Sequence, residues 1–205
     1  MIMEKLDLRQ QYKAVYAPSA KEVSLVTPPN LPFLMLDGQG NPNVSEQFQA
    51  AVQAMYNVSY TLKFMVKKEL GVDYPVMPLE GLWWTEGGDL LLQDKSAWLW
   101  TLMIAHPEVA TAEMAARAMA EVVHKKGVAA AEALRYEWFE EGLAAQILHV
   151  GPYSAESPTI AKLHAFLQTH GYRPQGRHHE IYLGDPRRAA PDKLKTILRQ
   201  PCAPI

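Results

Sequence analysis

The chain has 205 residues, 48% of them hydrophobic and 20% charged, with a formal net charge of -2. That balance suits a soluble protein with a sizeable core. It offers no positive field for nucleic acid or an anionic membrane, and no run nears the ~18 apolar residues of a membrane helix. Cys202 is the single cysteine, so no internal disulfide forms, and residues 1–7 carry no apolar leader. The expected setting is the reducing cytoplasm.

In chain order, segment 7–16 predicts partial helix and Glu22-Val23-Ser24-Leu25-Val26-Thr27 a short strand. Pro28-Pro29-Asn30 turns the chain into a second strand over 33–37, closed by Gly38-Gln39-Gly40. This pair of glycines lacks the third of a dinucleotide-binding loop and reads as a turn. From 44 to 70 the positions Phe48, Val52, Met55, Tyr56, Leu62 and Val66 keep helical spacing, with Ser45 at the start and Gly71 at the end. Strands over 76–84 and 97–104 follow, joined through Gly87-Gly88-Asp89. Segment 107–126 ends in His124-Lys125-Lys126-Gly127, a favourable helix terminus.

The same order then recurs. Segments 134–139 and 143–150 predict a hairpin around Glu140-Glu141-Gly142, Gly151-Pro152 breaks it, and a helix covers 157–170. Strands at 178–183 and 194–200 close the chain. The expected fold is α+β: duplicated strand-helix-strand-strand modules with antiparallel sheets, helices on one side and a central ligand cleft. One domain spans 1–205, with a first module over 22–104, a linking helix over 107–126 and a second module over 134–201.

In the strand His178-His179-Glu180-Ile181-Tyr182-Leu183, Glu180 and Tyr182 share one face while His179, Ile181 and Leu183 share the other. Setting the third strands of the two rounds side by side aligns Glu80 with Glu180 and Leu82 with Tyr182. That alignment predicts two carboxylates converging on one cleft between the modules. Trp84 and Trp100 on one side, Tyr136 and Trp138 on the other, would supply aromatic walls. Tyr56 and Tyr60, four residues apart, share a helix face and either pack in the core or turn a hydroxyl to the cleft. His178-His179 lacks a third ligand at metal spacing, so the pair reads as structural or solvated. Asp185-Pro186-Arg187-Arg188 reads as a turn, and Cys202, near the C-terminus between Pro201 and Ala203, is poorly placed for a nucleophile.

Segments 19–26 and 60–68, Met77-Pro78-Leu79-Glu80-Gly81-Leu82-Trp83-Trp84, Gln146-Ile147-Leu148-His149-Val150-Gly151-Pro152-Tyr153 and segment 178–202 carry a resemblance over nearly the whole chain. The sequence resembles the GyrI-like small-molecule-binding family, above all its stand-alone members without a DNA-binding domain. The resemblance implies paired strand-helix-strand-strand modules around a ligand cleft, and a glutamate at position 180 that meets cationic aromatic ligands. Through the cyclopropanoid hydrolases of the subgroup it also implies detoxification, by hydrolysis of cyclopropane-bearing DNA-alkylating natural products.

Opening such a ring places negative charge on a conjugated carbonyl oxygen, so the reaction needs a carboxylate base for water and a hydrogen-bond donor for the oxyanion. The expected base is Glu180, with Glu80 as second acid or water-orienting group. One of Tyr60, Tyr136, Tyr153 or Tyr182 is the donor, and Trp84, Trp100 and Trp138 stack on the planar ring system. No metal or organic cofactor is required, and the expected partners are planar aromatic or cationic small molecules rather than nucleic acid or membrane. Two rival readings use the same residues: a non-catalytic multidrug-binding or ligand-sensing protein, and a protein-interaction role such as restraint of a topoisomerase.

Overall fold

The computed structural model of the protein describes residues 3–87, 94–185 and 188–205. The predicted link Gly87-Gly88-Asp89 and the turn Asp185-Pro186-Arg187-Arg188 fall partly outside the described residues. Strand β1 (Glu4–Lys5) leads to two short helices, α1 (Leu8–Gln11) and α2 (Lys13–Tyr16). Then come β2 (Ser24–Val26), β3 (Leu31–Gln39), α3 (Glu46–Leu70), β4 (Val72–Asp73), β5 (Leu79–Trp84), β6 (Leu99–Ala105) and α4 (Ala112–Lys126). The remaining elements are β7 (Arg135–Phe139), β8 (Ala144–Val150), α5 (Ser157–Thr169), β9 (Tyr172–Pro174), β10 (His178–Tyr182) and β11 (Lys195–Pro204).

The long helix α3 forms where its end signals stand. Ser45 Oγ accepts a hydrogen bond from the Phe48 amide at 3.2 Å, and Gly71 closes the helix at φ 71°, where a side chain would be strained. Glu46 in the first turn and Lys67 and Lys68 in the last complement the helix dipole. Ala54, Met55, Val58, Leu62 and Val66 lie fully buried along one stripe. Truncating Leu62 to alanine there would cost about 2–5 kcal/mol.

Strands β1 and β4 form a separate parallel pair, and the other nine strands form one sheet in the order β2-β8-β11-β10-β5-β6-β3-β7, with β9 added beside β11. All pairings in it are antiparallel. The order is symmetrical about the β10–β5 seam: β3-α3-β5-β6 builds one half and β8-α5-β10-β11 the other. The expected hairpin of β7 and β8 does not form. Strand β7 pairs with β3 at one edge and β8 pairs with β11 and β2, so each half takes its outermost strand from the other half's stretch of chain. The long helices pack on one face of the sheet, whereas α2 and its approach cover the reverse face, where Gln146 Nε2 donates to the Ala14 carbonyl and Arg199 Nη2 to that of Val15. Gly38 in β3 is required by contact: a Cβ there would lie 2.1 Å from Trp100 Cη2. Among the described residues no helix is long and apolar enough to cross a membrane.

Candidate active site

Helix α3 packs over β3 and β6, and α5 packs over β8 and β11, leaving β5 and β10 as a floor between them. Cross-strand partners share a face. Glu180 stands opposite Gly81, His178 opposite Trp83 and Tyr182 opposite Leu79, and Tyr182 also stands opposite Thr196 of β11. These side chains point to the helix face. Because Gly81 has no side chain, the Trp83 indole lies over it beside Glu180; a Cβ at Gly81 would crowd Trp83 Nε1 at 2.8 Å. Tyr182 donates its hydroxyl to Glu180 Oε2 at 2.8 Å and accepts from Trp83 Nε1 at 3.0 Å. His178 Nε2 lies 3.4 Å from Glu180 Oε1 without the alignment of a hydrogen bond. Tyr153, from the turn before α5, meets Tyr182 edge to face at 5.7 Å.

A second carboxyl joins Glu180 here. Glu156 precedes α5 in the capping position, yet its side chain makes no capping bond and is buried. Burial, reinforced by the negative charge of Glu180, raises its pKa to about 8, although a hydrogen bond with the Thr196 hydroxyl and the charge of Lys95 act in the opposite direction. Glu156 therefore carries a proton at neutral pH. Burial and the same two carboxyl groups push the Tyr153 phenol up to about 12, and burial with Glu180 pushes Tyr182 well above its ordinary value. Both tyrosines are hydrogen-bond donors throughout the physiological range.

The reverse face holds a different cluster. Glu80, opposite Ile181, accepts from the Tyr16 hydroxyl at 3.2 Å and pairs with His179 Nε2 at 2.9 Å. His179 Nδ1 bonds Glu141 Oε1 at 2.8 Å, and Glu141 Oε2 accepts from Arg199 at 2.9 Å, with Gln146 completing the arginine's contacts. Burial alone would lower the pKa of His179, but the adjacent Glu141 and Glu80 outweigh it and raise the value to about 9. Glu141 moves the other way, to about 2: burial opposes its ionisation, but the charges of His179 and Arg199 prevail. The cavity among these groups, bordered by Pro28, Pro29 and Phe139, has a volume of only about 10 Å³, at most room for one water.

Glu80 and Glu180 thus project from opposite faces of the sheet, and the expected convergence of the two carboxylates does not form. An offset of 100 residues between the two central strands is even, but an axis normal to an antiparallel sheet keeps each side chain on its own face. The position related to Glu180 by such an axis is Gly81 or Leu79. The aromatic residues also disperse. Tyr153 and Tyr182 lie together beside Glu180, and Tyr60 stands about half exposed on α3, where the half-buried Tyr56 faces Tyr153 closely enough to act on its phenol. Trp100 is fully buried under Phe48 and against Gly38. Trp84 lies on the reverse face beneath the Arg177 guanidinium, 3.6 Å from its ring centroid. Tyr136 bonds the Ala110 carbonyl beside buried His106, and Trp138 is exposed on the edge strand β7. These four tryptophan and tyrosine side chains do not wall the cleft. Cys202 is buried, and burial raises its thiol pKa. Among the described residues no group of three His, Cys, Asp or Glu side chains is placed to hold a metal ion.

Sequence reasoning missed Glu156, Thr196 and Glu141. An acid just before Ser157-Pro158 reads as an ordinary helix start; the signal that it serves otherwise is its tertiary burial. Glu141 was read as part of a turn that the sheet order abolishes.

The sequence pattern of the GyrI-like small molecule binding domain matches residues 21–201. No curated protein matches the chain. Three solved structures from Listeria innocua are similar throughout. An uncharacterized conserved protein is 41% identical, covering 97% of this chain and 100% of that one, with a TM-score of 0.89. A hydrolase encoded by lin2189 is 40% identical over 98% of this chain and 100% of its own, with a TM-score of 0.88. Another hydrolase is 38% identical over 97% and 100%, with a TM-score of 0.85.

Proposed function

The chain belongs to the GyrI-like small-molecule-binding family, and from that premise we propose that it is a hydrolase opening the cyclopropane ring of planar, DNA-alkylating natural products by addition of water. The observation that carries this reading is the buried Glu156 carboxyl set beside the buried Glu180, whose charge together with burial raises the Glu156 pKa. Two carboxyl groups whose surroundings separate their protonation states provide a base and an acid at the same pH. The similar Listeria innocua proteins described as hydrolases favour an enzymatic role.

In the proposed reaction Glu180 removes a proton from water as its oxygen bonds to a ring carbon. The strained carbon–carbon bond breaks, and its electron pair passes through the conjugated system to the carbonyl oxygen. Glu156 delivers its proton to that oxygen, with the Tyr153 hydroxyl as supporting donor. Tyr182, already committed to Glu180 and Trp83, holds the base in place. This chemistry requires no redox step. Non-catalytic binding or sensing of planar cations is the second reading, favoured by the Tyr153 and Tyr182 rings beside the Glu180 carboxylate.

Incubating purified protein with a cyclopropane-bearing alkylator and following ring-opened product by mass spectrometry tests the proposal. Glu180→Gln keeps the shape of the side chain and should lower turnover roughly 10²-fold while neutral planar substrate still binds. Turnover that survives the substitution removes Glu180 as base. Absence of product from the wild type, with cation binding that depends on Glu180, leaves the binding protein.

A further inference from the structure

His178 is a buried titratable side chain that the reaction above leaves unused. It is 5% exposed and stands on the helix face of β10, two residues before Glu180 and opposite the uncharged Trp83. Its Nε2 lies 3.4 Å from Glu180 Oε1, within ion-pair range but out of line for a hydrogen bond. Among the described residues no group hydrogen-bonds that nitrogen. Tyr182 holds Glu180 Oε2 at 2.8 Å, so Oε1 is the oxygen left for proton transfer, and the imidazole stands beside it. From α5, His164 comes within electrostatic reach: burial first, and then the charge of His178, lowers its pKa. His164 is exposed. The two rings lead from the buried base to the surface.

Water addition creates a need for such a route. Each turnover leaves Glu180 holding the proton of water, while Glu156 has given its own to the substrate carbonyl. Before the next substrate reacts, one proton must leave Glu180 and one must reach Glu156. Direct exchange between the two carboxyls is hindered at both ends. Tyr182 occupies one oxygen of Glu180, and a hydrogen bond with the Thr196 hydroxyl engages Glu156. Oε1–H meets His178 Nε2 more readily: closing 3.4 Å to an ordinary bond of about 2.9 Å takes only a small side-chain rotation.

On the hydrolase reading above, we propose that His178 takes the proton from Glu180 after ring opening and passes it by way of His164 to solvent, so that the base is reset. The O–H bond at Oε1 breaks as an N–H bond forms at the unprotonated Nε2. Nδ1 then releases the proton it carries, His164 hands that proton to water, and tautomeric exchange with solvent frees Nε2 again. Solvent returns one proton to Glu156. Over the full cycle the protein neither gains nor loses a proton, and the sum is substrate plus water. Imidazole suits this task because one ring nitrogen accepts while the other releases.

His178→Phe keeps a planar ring and removes both nitrogens, and His164→Ala removes the outer ring from an exposed position. Single-turnover and steady-state kinetics of both variants and wild type, in weak buffer with and without added imidazole, test the relay. In His178→Phe the first turnover should run at close to the wild-type rate, as a burst of about one equivalent of product. Its steady-state kcat should fall about tenfold or more, and added imidazole should restore much of it where sodium chloride of equal ionic strength does not. His164→Ala should show a smaller loss with the same rescue. A His178→Phe kcat equal to wild type means that the carboxyls exchange the proton between themselves, and overturns the proposal. Equal losses in single-turnover and steady-state rates, without rescue, show a structural residue and overturn it too. If His178→Phe does not fold, His164→Ala decides, and a kcat equal to wild type in weak buffer sinks the relay. A wild type that turns over no cyclopropane substrate defeats the hydrolase reading, and the relay with it; turnover that ignores both substitutions defeats the relay alone.

Discussion

Tyr182 and Glu180 sit two residues apart on β10, and the phenol donates to Glu180 Oε2 at 2.8 Å while accepting from Trp83 Nε1 at 3.0 Å. Both functions of the hydroxyl are occupied within the protein, so Tyr182 orients the carboxylate and Tyr153 is left to meet the substrate. The chain Trp83–Tyr182–Glu180 fixes the base from a wholly buried indole, and the missing side chain at Gly81 makes room for that indole.

Removing the link should therefore loosen the base without emptying the cleft. Tyr182→Phe leaves Trp83 Nε1 unpaired and Glu180 short of one donor, at a cost of about 1–3 kcal/mol in stability. Turnover should fall roughly tenfold with KM little changed, because the loss falls on the alignment of Glu180 rather than on ligand contact. Chemical denaturation and steady-state kinetics measure the two effects. An unchanged kcat removes Tyr182 from the positioning role.

Glu156 predicts a conflict between stability and activity. Its folded pKa of about 8 lies above the ~4.3 of an unfolded glutamate, so the unfolded chain releases this proton first. Stability is consequently lost as pH rises from about 4.3 to about 8, and that loss persists above it. Glu156→Gln should raise the melting temperature, by more at pH 8 than at pH 4, while lowering kcat. Wild-type activity should decline as pH rises through about 8, when the acid ionises, and the variant's residual activity should lack that limb. A variant less stable than wild type at pH 8 would contradict a buried acid held neutral.

Much of the fold was legible because its signals are local. Ser45 and Gly71 bound α3 within a residue or two of the expected limits, and the strands around Leu34, Leu82, Trp100, Ile147 and Ile181 follow from apolar runs between turn residues. Strand partnership was not local. Glu140-Glu141-Gly142 has the composition of a hairpin turn, but β3 and β11 compete for the two flanking strands and win. The site depended on face, and face depends on register. Shifting the comparison of β5 and β10 by one residue reverses every side chain, which placed Glu80 beside Glu180 when the sheet separates them. Trp100 shows the same limit: its sequence neighbourhood is that of a pocket wall, and only Gly38, far away in the chain, reveals that the ring is core.

The buried network on the reverse face should set the pH range of folding. His179, raised to about 9, contributes stability that is complete below ~6.5, its unfolded value, and is lost as pH rises through about 9. Glu141, held at about 2, contributes stability present above ~4.3 and lost as pH falls toward 2. Comparing His179→Gln with wild type by urea unfolding from pH 5 to pH 10 isolates the histidine from other groups. The deficit of the variant should be largest near pH 6 and shrink toward pH 10. A deficit independent of pH would show that the histidine contributes packing alone.

Glu80 and Glu180 should respond oppositely to the same substitution. Glu80→Gln removes a charge that meets His179 at 2.9 Å and the Tyr16 hydroxyl at 3.2 Å, in surroundings without solvent. Its amide still accepts from Tyr16, but the histidinium keeps only Glu141 as a charged partner, so stability should fall by about 1–3 kcal/mol. The folded fraction should keep kcat within a few-fold of wild type, since the side chain lies across the sheet from the cleft. Glu180→Gln should leave the melting temperature within a few degrees and lose turnover. Differential scanning calorimetry and single-turnover assays of the two variants, at a temperature where both are folded, compare the effects directly. If Glu80→Gln abolishes turnover while the protein remains folded, the reverse face takes part in the chemistry and the assignment of the cleft to Glu180 and Glu156 alone is wrong.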